Sequence, residues 1–210
     1  EFSAADPTLK ARYSRKYFGK DRGVVAYSLL ANHVALQTEM LSANQHESYW
    51  VFDICYNNTT DIVPTTIPAT CTASTRPISR SCTGFGMRLA PRFTHLQTQL
   101  NHLCCGCDPE EYANFLILPA AQIDYELIVS ERDNIDRIVA TLGLKEMSQS
   151  TLVRKLCTLS GHHRTRKAIF EFDKLIRSIY TLRYLRDPQL QRNVHRSQNR
   201  IEAHHQLRSV

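Results

Sequence analysis

The stretch RGVVAYSLLANHVALQTEMLSA, residues 22–43, decides how the first half of the chain is organised. It consists of two apolar runs, 22–33 and 34–43, in residues that favour strands, and almost nothing separates them. Two such runs in succession predict two adjacent strands of one sheet. The next segment, HESYWVFDICYNN, spaces Tyr49, Phe52 and Tyr56 by three and four residues, and this spacing predicts a helix.

The second half of the chain has a helical pattern instead. From residue 133 a first helix is predicted by the stripe of Ile135, Ile138, Val139 and Leu142. A second begins at a capping serine, Ser148 or Ser150. A third, within RKAIFEFDKLIRSIYTLRYLRDP, has its apolar stripe at Ile169, Phe172, Leu175, Ile176, Ile179, Leu182 and Leu185. Pro188 breaks the pattern before a last, basic helix.

These elements in this order predict a mixed α+β fold, with a sheet in the N-terminal half and a helical C-terminal region. A further short strand is predicted in RLAPRF, residues 88–93, where Pro91 is tolerable near a sheet edge. The 210 residues suffice for one large domain or two small ones. No apolar run approaches the roughly 18 residues of a membrane span, so no membrane partner is expected.

Charge is distributed unevenly along the chain. Residues 150–210 hold 13 Lys/Arg against 4 Asp/Glu, whereas the first 149 residues hold 13 against 16. A basic C-terminal third indicates a polyanionic partner, and nucleic acid is the first candidate. On charge alone, a merely solvated helix face is an equally good interpretation.

The seven cysteines favour reduced thiols and a cytoplasmic location. Their number is odd, and the N-terminus has no secretory signal pattern. The cluster CCGC at 104–107 suggests a metal site, but a tetrahedral zinc site usually takes two spaced pairs of ligands and the sequence offers no second pair.

One segment differs from the chain on both sides of it. PATCTASTRPISRSCTG, residues 68–84, has one Ile among Thr, Ser, Arg, Pro and two Cys. It contains Pro77 and places Arg76 and Arg80 where a folded core needs apolar residues. Burying unpaired charge costs several kcal/mol, so the sheet is expected to be disrupted around residues 66–86.

Nine phrases, in order along nearly the whole chain, resemble one family. They are KYFG (16–19), GVVAYSLLANH (23–33), HESYWVFD (46–53), YNNTTDI (56–62), APRF (90–93), DNIDRIV (133–139), QSTLVRKL (149–156), RSIYTLRYLRDPQLQRNV (177–194) and NRIEAHHQLR (199–208). The chain resembles the C-terminal catalytic part of the Tn-three family of transposases, which move replicative, cointegrate-forming bacterial transposons.

The resemblance implies an RNase-H-like fold and three acidic residues, in the order Asp, Asp, Glu, that hold two Mg²⁺ ions. Two cations about 3.5–4 Å apart activate the attacking water or 3′-hydroxyl and stabilise the leaving oxygen, and hard Mg²⁺ prefers carboxylate oxygens. The family's last acidic phrase, Asn-x-Gly-Glu-Ala, matches Asn199, Glu202 and Ala203, so Glu202 is the catalytic and metal-binding candidate. Ile201 stands where the family has Gly.

The other two carboxylates have no counterpart in the chain. The first Asp is expected just ahead of Glu1, and Asp6 is too close to Lys16 to take its place. The second belongs to an Asp-x-His-Gly phrase after YNNTTDI, where the segment 68–84 stands instead.

A compensated frameshift accounts for that segment. Reverse-translated and read two nucleotides late from the last base of the Ala69 codon, it can encode D-M-H-G-V-N-Q-A-N-F-A-I-L-H-W-F, which is the family's phrase and the helix after it. At Gly86 the written frame agrees with the family again. The alternative is a divergent surface insert.

The resemblance also implies two partners. One is DNA, as transposon ends and as target, and the other is an intact transposase with which the chain would co-assemble. Candidate DNA-phosphate contacts within the matched phrases are Arg88, Arg92, Arg154, Lys155 and Arg200. The expected organisation is a partial RNase-H-like core at 1–100, a variable connection at 101–132 and a helical region at 133–210 that carries Glu202. We expect a damaged transposase fragment in a bacterial cytoplasm, associated with the nucleoid. A non-catalytic DNA-binding remnant and a translated relic without function are the alternatives.

Overall fold

The structure, a computed structural model, describes residues 2–3, 8–15, 19–31, 34–43, 45–70 and 83–207. Its first half is built mainly from strands and its second half from helices, so the predicted α+β class is confirmed. The strands are β1 Phe2–Ser3, β2 Arg12–Tyr13, β3 Arg22–Ala31, β4 Val34–Ser42, β5 Thr66–Thr70, β6 Arg88–Arg92, β7 Cys104–Cys105 and β8 Ala121–Gln122. The α-helices are α1 Val51–Tyr56, α2 Leu96–Leu100, α3 Tyr125–Ser130, α4 Arg132–Gly143, α5 Gln149–Thr158, α6 Arg164–Arg186 and α7 Pro188–Leu207.

The two apolar runs at 22–43 form an antiparallel pair, as predicted. β3 pairs with β4 from Val24 opposite Ser42 to Ala31 opposite Val34, with a register shift between Leu29 and Leu30. The short strands β1 and β2 pair with the beginning of β3. β3 is therefore the central strand of a four-stranded antiparallel sheet.

A second, parallel sheet consists of β5 and β6. The register runs from Thr66 opposite Arg88 to Thr70 opposite Arg92, so the strand predicted at 88–93 is confirmed. Thr66–Thr70, inside the range where disruption was expected, is a regular strand, and residues 71–82 lie outside the described ranges. Among the described strands, none links this pair to the four-stranded sheet.

Helix α1 holds the two sheets together through apolar contacts. A 3-10 turn, Glu47–Trp50, leads into it, and five of its six residues are buried. Phe52, 1% exposed, belongs to a core cluster that takes Leu29 from β3 and Ile67 from β5. Its ring stacks on Tyr56 and touches Phe85. The two sheets are thus joined by apolar packing, since no hydrogen-bonded pairing between their described strands connects them.

The connection between the halves is made of short elements. α2, β7, a 3-10 turn at Pro109–Tyr112, β8 and α3 follow one another, and β7 pairs with β8 in parallel. The chain first becomes helical in the short α3 at Tyr125, and the helix predicted from residue 133 is α4, which begins at Arg132. The predicted division at residues 100 and 132 stays a prediction.

The long helix α6 differs from its predicted packing. Ile179, Leu182 and Leu185 of the predicted stripe are exposed, at 55%, 45% and 38%. The N-terminal half of α6 packs Ala168 and Ile169 into a helical core with α4 and α5, and its C-terminal half packs on another side, against β6 and α7. A helix whose two halves pack against different elements on different sides cannot bury one continuous apolar stripe.

Candidate functional site

Glu202 lies near the end of α7, where its side chain is exposed to solvent. The helix begins at Pro188 because the Asp187 side chain accepts hydrogen bonds from the backbone N–H groups of Gln189, at 2.9 Å, and Leu190, at 3.0 Å. This is an N-cap followed by proline at the first helical position. Gln198, one turn earlier, donates from Nε2 to Glu202 Oε1 at 3.4 Å.

α7 packs against the parallel sheet. Val194 is buried in a cluster with Ala90 of β6 and Tyr184 of α6, and α7 also lies against β5. The last position of β5 is Thr70, whose codon overlaps the one that would encode the second Asp under the frameshift hypothesis. The helix of the third carboxylate and the strand end predicted for the second are therefore neighbouring elements.

The residues present do not fit a pair of Mg²⁺ ions. Within the described part of the chain, no group of three or more His, Cys, Asp or Glu side chains could hold a metal ion. The Glu202 carboxylate has the Gln198 amide as a hydrogen-bond partner, and two cations require several shared carboxylate oxygens. Cys104, Cys105 and Cys107 are free thiols without metal-binding geometry.

The predicted DNA-contacting residues occupy three elements. Arg88, exposed, and Arg92, half-buried, flank the buried Ala90 on one side of β6, as residues two apart on a strand do. Arg200 is exposed on α7, which contacts β6. Arg154 and Lys155 are exposed on α5, which packs instead against α1 and the 3-10 turn before it.

The sequence interpretation missed a buried polar junction between α1 and α5. Asp53 Oδ1 accepts a hydrogen bond from the backbone N–H of Gln149 at 2.7 Å, and Oδ2 accepts one from Ser150 at 3.2 Å. In return, the N–H of Phe52 donates to Gln149 Oε1 at 2.9 Å. Ser148 is the N-cap of α5 and accepts from Thr151. All three first N–H groups of α5 are satisfied, which such helix ends require.

Burial controls the ionisation of this junction. It raises the pKa of Asp53, while the hydrogen bonds from Gln149 and Ser150 lower it and nearby Glu39 raises it further. The positive end of the α5 dipole favours the carboxylate. The signal in the sequence was one acidic residue inside the apolar run VFDIC, but its partners lie 96 and 97 residues away.

A groove of about 920 Å³ runs between α6 and the short elements of the connection. Its cations are partly neutralised, because Lys174 pairs with Glu171, and Arg177 Nε lies 3.1 Å from Asp173. The groove is therefore of mixed charge, and it contains none of the predicted site residues.

The sequence matches the family described as Tn3 transposase DDE domain over residues 1–210. No solved structure matches the chain. A DDE domain implies an RNase-H-like fold, which agrees with the predicted fold class and with the mixed α+β structure. The described helices include none long and apolar enough to cross a membrane.

Proposed function

The chain belongs to the Tn3 transposase DDE domain family, and from this premise we propose that it is part of the catalytic region of a transposase that nicks transposon ends and joins their 3′-hydroxyls to target DNA. In this proposal Glu202 is the last of three metal-binding carboxylates. The observation that carries it is the packing of α7 against β5, the strand that ends where the second carboxylate belongs.

This chain is proposed to be unable to complete the reaction. In the intact family domain, Mg²⁺ supplies activation of the attacking oxygen and stabilisation of the leaving oxygen. The position expected for the second Asp carries no carboxylate, and without this shared ligand the separation of two cations is not fixed. Phosphoryl transfer depends on positioning and charge stabilisation, so the missing second carboxylate is expected to abolish it.

A non-catalytic DNA-binding remnant is the second candidate, favoured by the exposure of Arg88, Arg154, Lys155 and Arg200. DNA is the substrate that the family implies. Co-assembly with an intact transposase and a cytoplasmic, nucleoid-associated location follow from that substrate and stay predictions. A chain that neither binds DNA nor melts cooperatively would instead be a relic.

The first test is the nucleotide sequence that encodes residues 60–90, read in three frames. The frameshift hypothesis predicts that the late frame spells Asp-x-His-Gly followed by an apolar helix. If that frame is interrupted or spells something unrelated, residues 68–84 are an evolved insert and the account of the second Asp is wrong.

The second test is nicking of supercoiled plasmid in the presence of Mg²⁺ or Mn²⁺. The chain as it stands is expected to give no nicking. A chain repaired to the late frame, and extended at its N-terminus to include the first Asp, is expected to nick the plasmid. The Glu202→Gln variant of this repaired chain is expected to nick at least 100-fold more slowly. Equal nicking by the repaired chain and that variant would contradict the role of Glu202.

A further inference from the structure

The outer face of α7 carries a row of arginines. Leu190 and Val194 pack against the rest of the protein. The exposed residues of the helix include Arg192, Arg196 and Arg200. They recur every four residues. Each arginine is therefore rotated by about 40° around the helix axis from the one before it, and lies about 6 Å further along the axis.

This row is distinct from the side of the helix that carries Glu202. Two positions along an α-helix correspond to a rotation of about 200°, so Arg200 and Glu202 point to opposite flanks. Arg200, grouped with Glu202 by the sequence motif, belongs by geometry with Arg192 and Arg196. Its side chain is directed away from the flank that carries Glu202.

The row lacks the acidic neighbours of an ordinary solvated helix. Such helices place Glu or Asp four residues from Lys or Arg, because like charges at that spacing destabilise the helix. Glu202 is the one acidic residue between Pro188 and Leu207. The exposed neighbours of the row on α7 include the uncharged amides Asn193 and Asn199 and the imidazole of His195. An anion bound along this face would relieve the repulsion.

The identity of the cations points to phosphate. α7 contains three arginines and no lysine, and residues 150–210 hold 10 Arg against 3 Lys. The guanidinium fork pairs two of its N–H groups with two phosphate oxygens, whereas a lysine acts as a point charge. Three arginines over about 12 Å span roughly four phosphates of one DNA strand, at one phosphate per 3.4 Å.

We propose that Arg192, Arg196 and Arg200 form a track for the phosphate backbone of one DNA strand along the outer face of α7. The track rests on the proposed function in that DNA is the polyanion. It reads no bases, because phosphate contacts carry no sequence information. Its place on α7 orients DNA along the helix, while Glu202 lies on the flank opposite Arg200.

The experiment is fluorescence anisotropy of a labelled 30-base-pair duplex at 50–200 mM NaCl. The probed variant is Arg192→Gln, Arg196→Gln and Arg200→Gln combined. Glutamine keeps good helix propensity, and far-ultraviolet circular dichroism checks that folding is retained. We expect binding weaker by roughly 100-fold at 100 mM salt, equally for unrelated sequences, and a salt slope reduced by about 2.7, from about 0.9 per phosphate contact.

The matched control removes the same net charge elsewhere, as Lys10→Gln, Arg12→Gln and Lys20→Gln, all exposed. It is expected to keep the salt slope of the unaltered chain. A triple arginine variant that binds like the unaltered chain overturns the track, and so does a control that weakens binding equally. Absence of DNA binding by the unaltered chain also overturns it.

Two further variants separate this inference from the proposed function. Glu202→Gln, made in the repaired chain, tests nicking and therefore reports on the proposed function, since the track does not use Glu202. Replacement of all three arginines by lysine is expected to keep the slope but weaken binding, because the charge stays and the fork is lost. If the repaired chain nicks through Glu202 while the triple Gln variant binds normally, the track fails and the function stands.

Discussion

The two halves of the chain are held together by different means. In the helical half, α4, α5 and α6 share one apolar cluster around Ile135, Leu156 and Ala168. In the strand half, the four-stranded sheet and the β5–β6 pair share no described hydrogen bonds, and side chains of α1 join them. The described strands thus form separate sheets, whereas the described helices of the second half pack around a shared core.

This difference indicates that α1 is the critical element of the strand half. It covers residues from both sheets, and its polar edge caps α5 of the helical half. Each strand of a two-stranded sheet is an edge strand and is marginal by itself. The stability of β5 and β6 therefore depends on the packing above them and on α7.

The largest expected effect comes from removing the apolar side chain at the centre of that packing. Phe52→Ala should destabilise the protein by about 3–5 kcal/mol, because it deletes a ring that is 1% exposed and leaves a cavity between the sheets. Urea unfolding measures the loss. Hydrogen exchange should locate it in β3, β5 and β6 before α4 and α6.

The control for this variant is Phe115→Ala, since Phe115 is 63% exposed and should change stability by no more than about 0.5 kcal/mol. Equal losses for the two variants would mean that α1 does not bridge the sheets. Loss of exchange protection in both halves together would mean that the halves unfold as one unit.

The elements that the sequence predicted correctly are those with local causes. The β3–β4 pair follows from two apolar runs with a short link, and the start of α5 follows from Ser148, which caps it. The end of α6 follows from Pro188, which can begin a helix but not continue one. Each signal lies within a few residues of the structure that it determines.

The features that the sequence did not predict depend on contacts between distant residues. The exposure of Ile179 and Leu182 follows from a change of packing partner along α6, and nothing in its 3.6-residue period indicates one. Asp53 meets Gln149 across 96 residues. For the candidate site, the motif predicts Glu202, and this stays a prediction, whereas the assignment of Arg200 to the opposite flank needed the helix geometry.

A smaller effect is expected from the polar junction between the halves. Asp53→Asn should cost about 1–3 kcal/mol, because an amide has one oxygen that can accept, whereas both side-chain oxygens of Asp53 accept from buried N–H groups. Burial raises the pKa of Asp53 above its ordinary 3.8. The native state thus binds this proton more tightly than the unfolded state does.

The pH dependence of that loss has a defined sign. The stabilisation that comes from the raised pKa of Asp53 is fully present below pH 3.8 and is lost as the pH rises through the raised value. The free energy of unfolding of the unaltered protein should therefore approach that of Asp53→Asn as the pH rises from 3.8 through the raised pKa of Asp53. Urea unfolding at pH 3 to 7 measures it, and Ser160→Ala, an exposed change, serves as control. A difference that widens with pH would contradict the raised pKa.

The least perturbing comparison uses the cysteines as they stand. Burial raises the pKa of the Cys55 thiol to about 12, whereas Cys107 and Cys157 are exposed. Because the thiolate is the reacting form, a pKa near 12 against the usual 8.5 lowers its fraction at pH 8 by roughly 1,000-fold. Iodoacetamide labelling followed by mass spectrometry should modify Cys107 and Cys157 first and Cys55 only on opening of α1. In the Phe52→Ala variant, Cys55 should be labelled much faster, while the labelling rate of Cys157 should not change. If Cys55 and Cys107 are labelled at equal rates in the unaltered protein, α1 does not cover the two sheets.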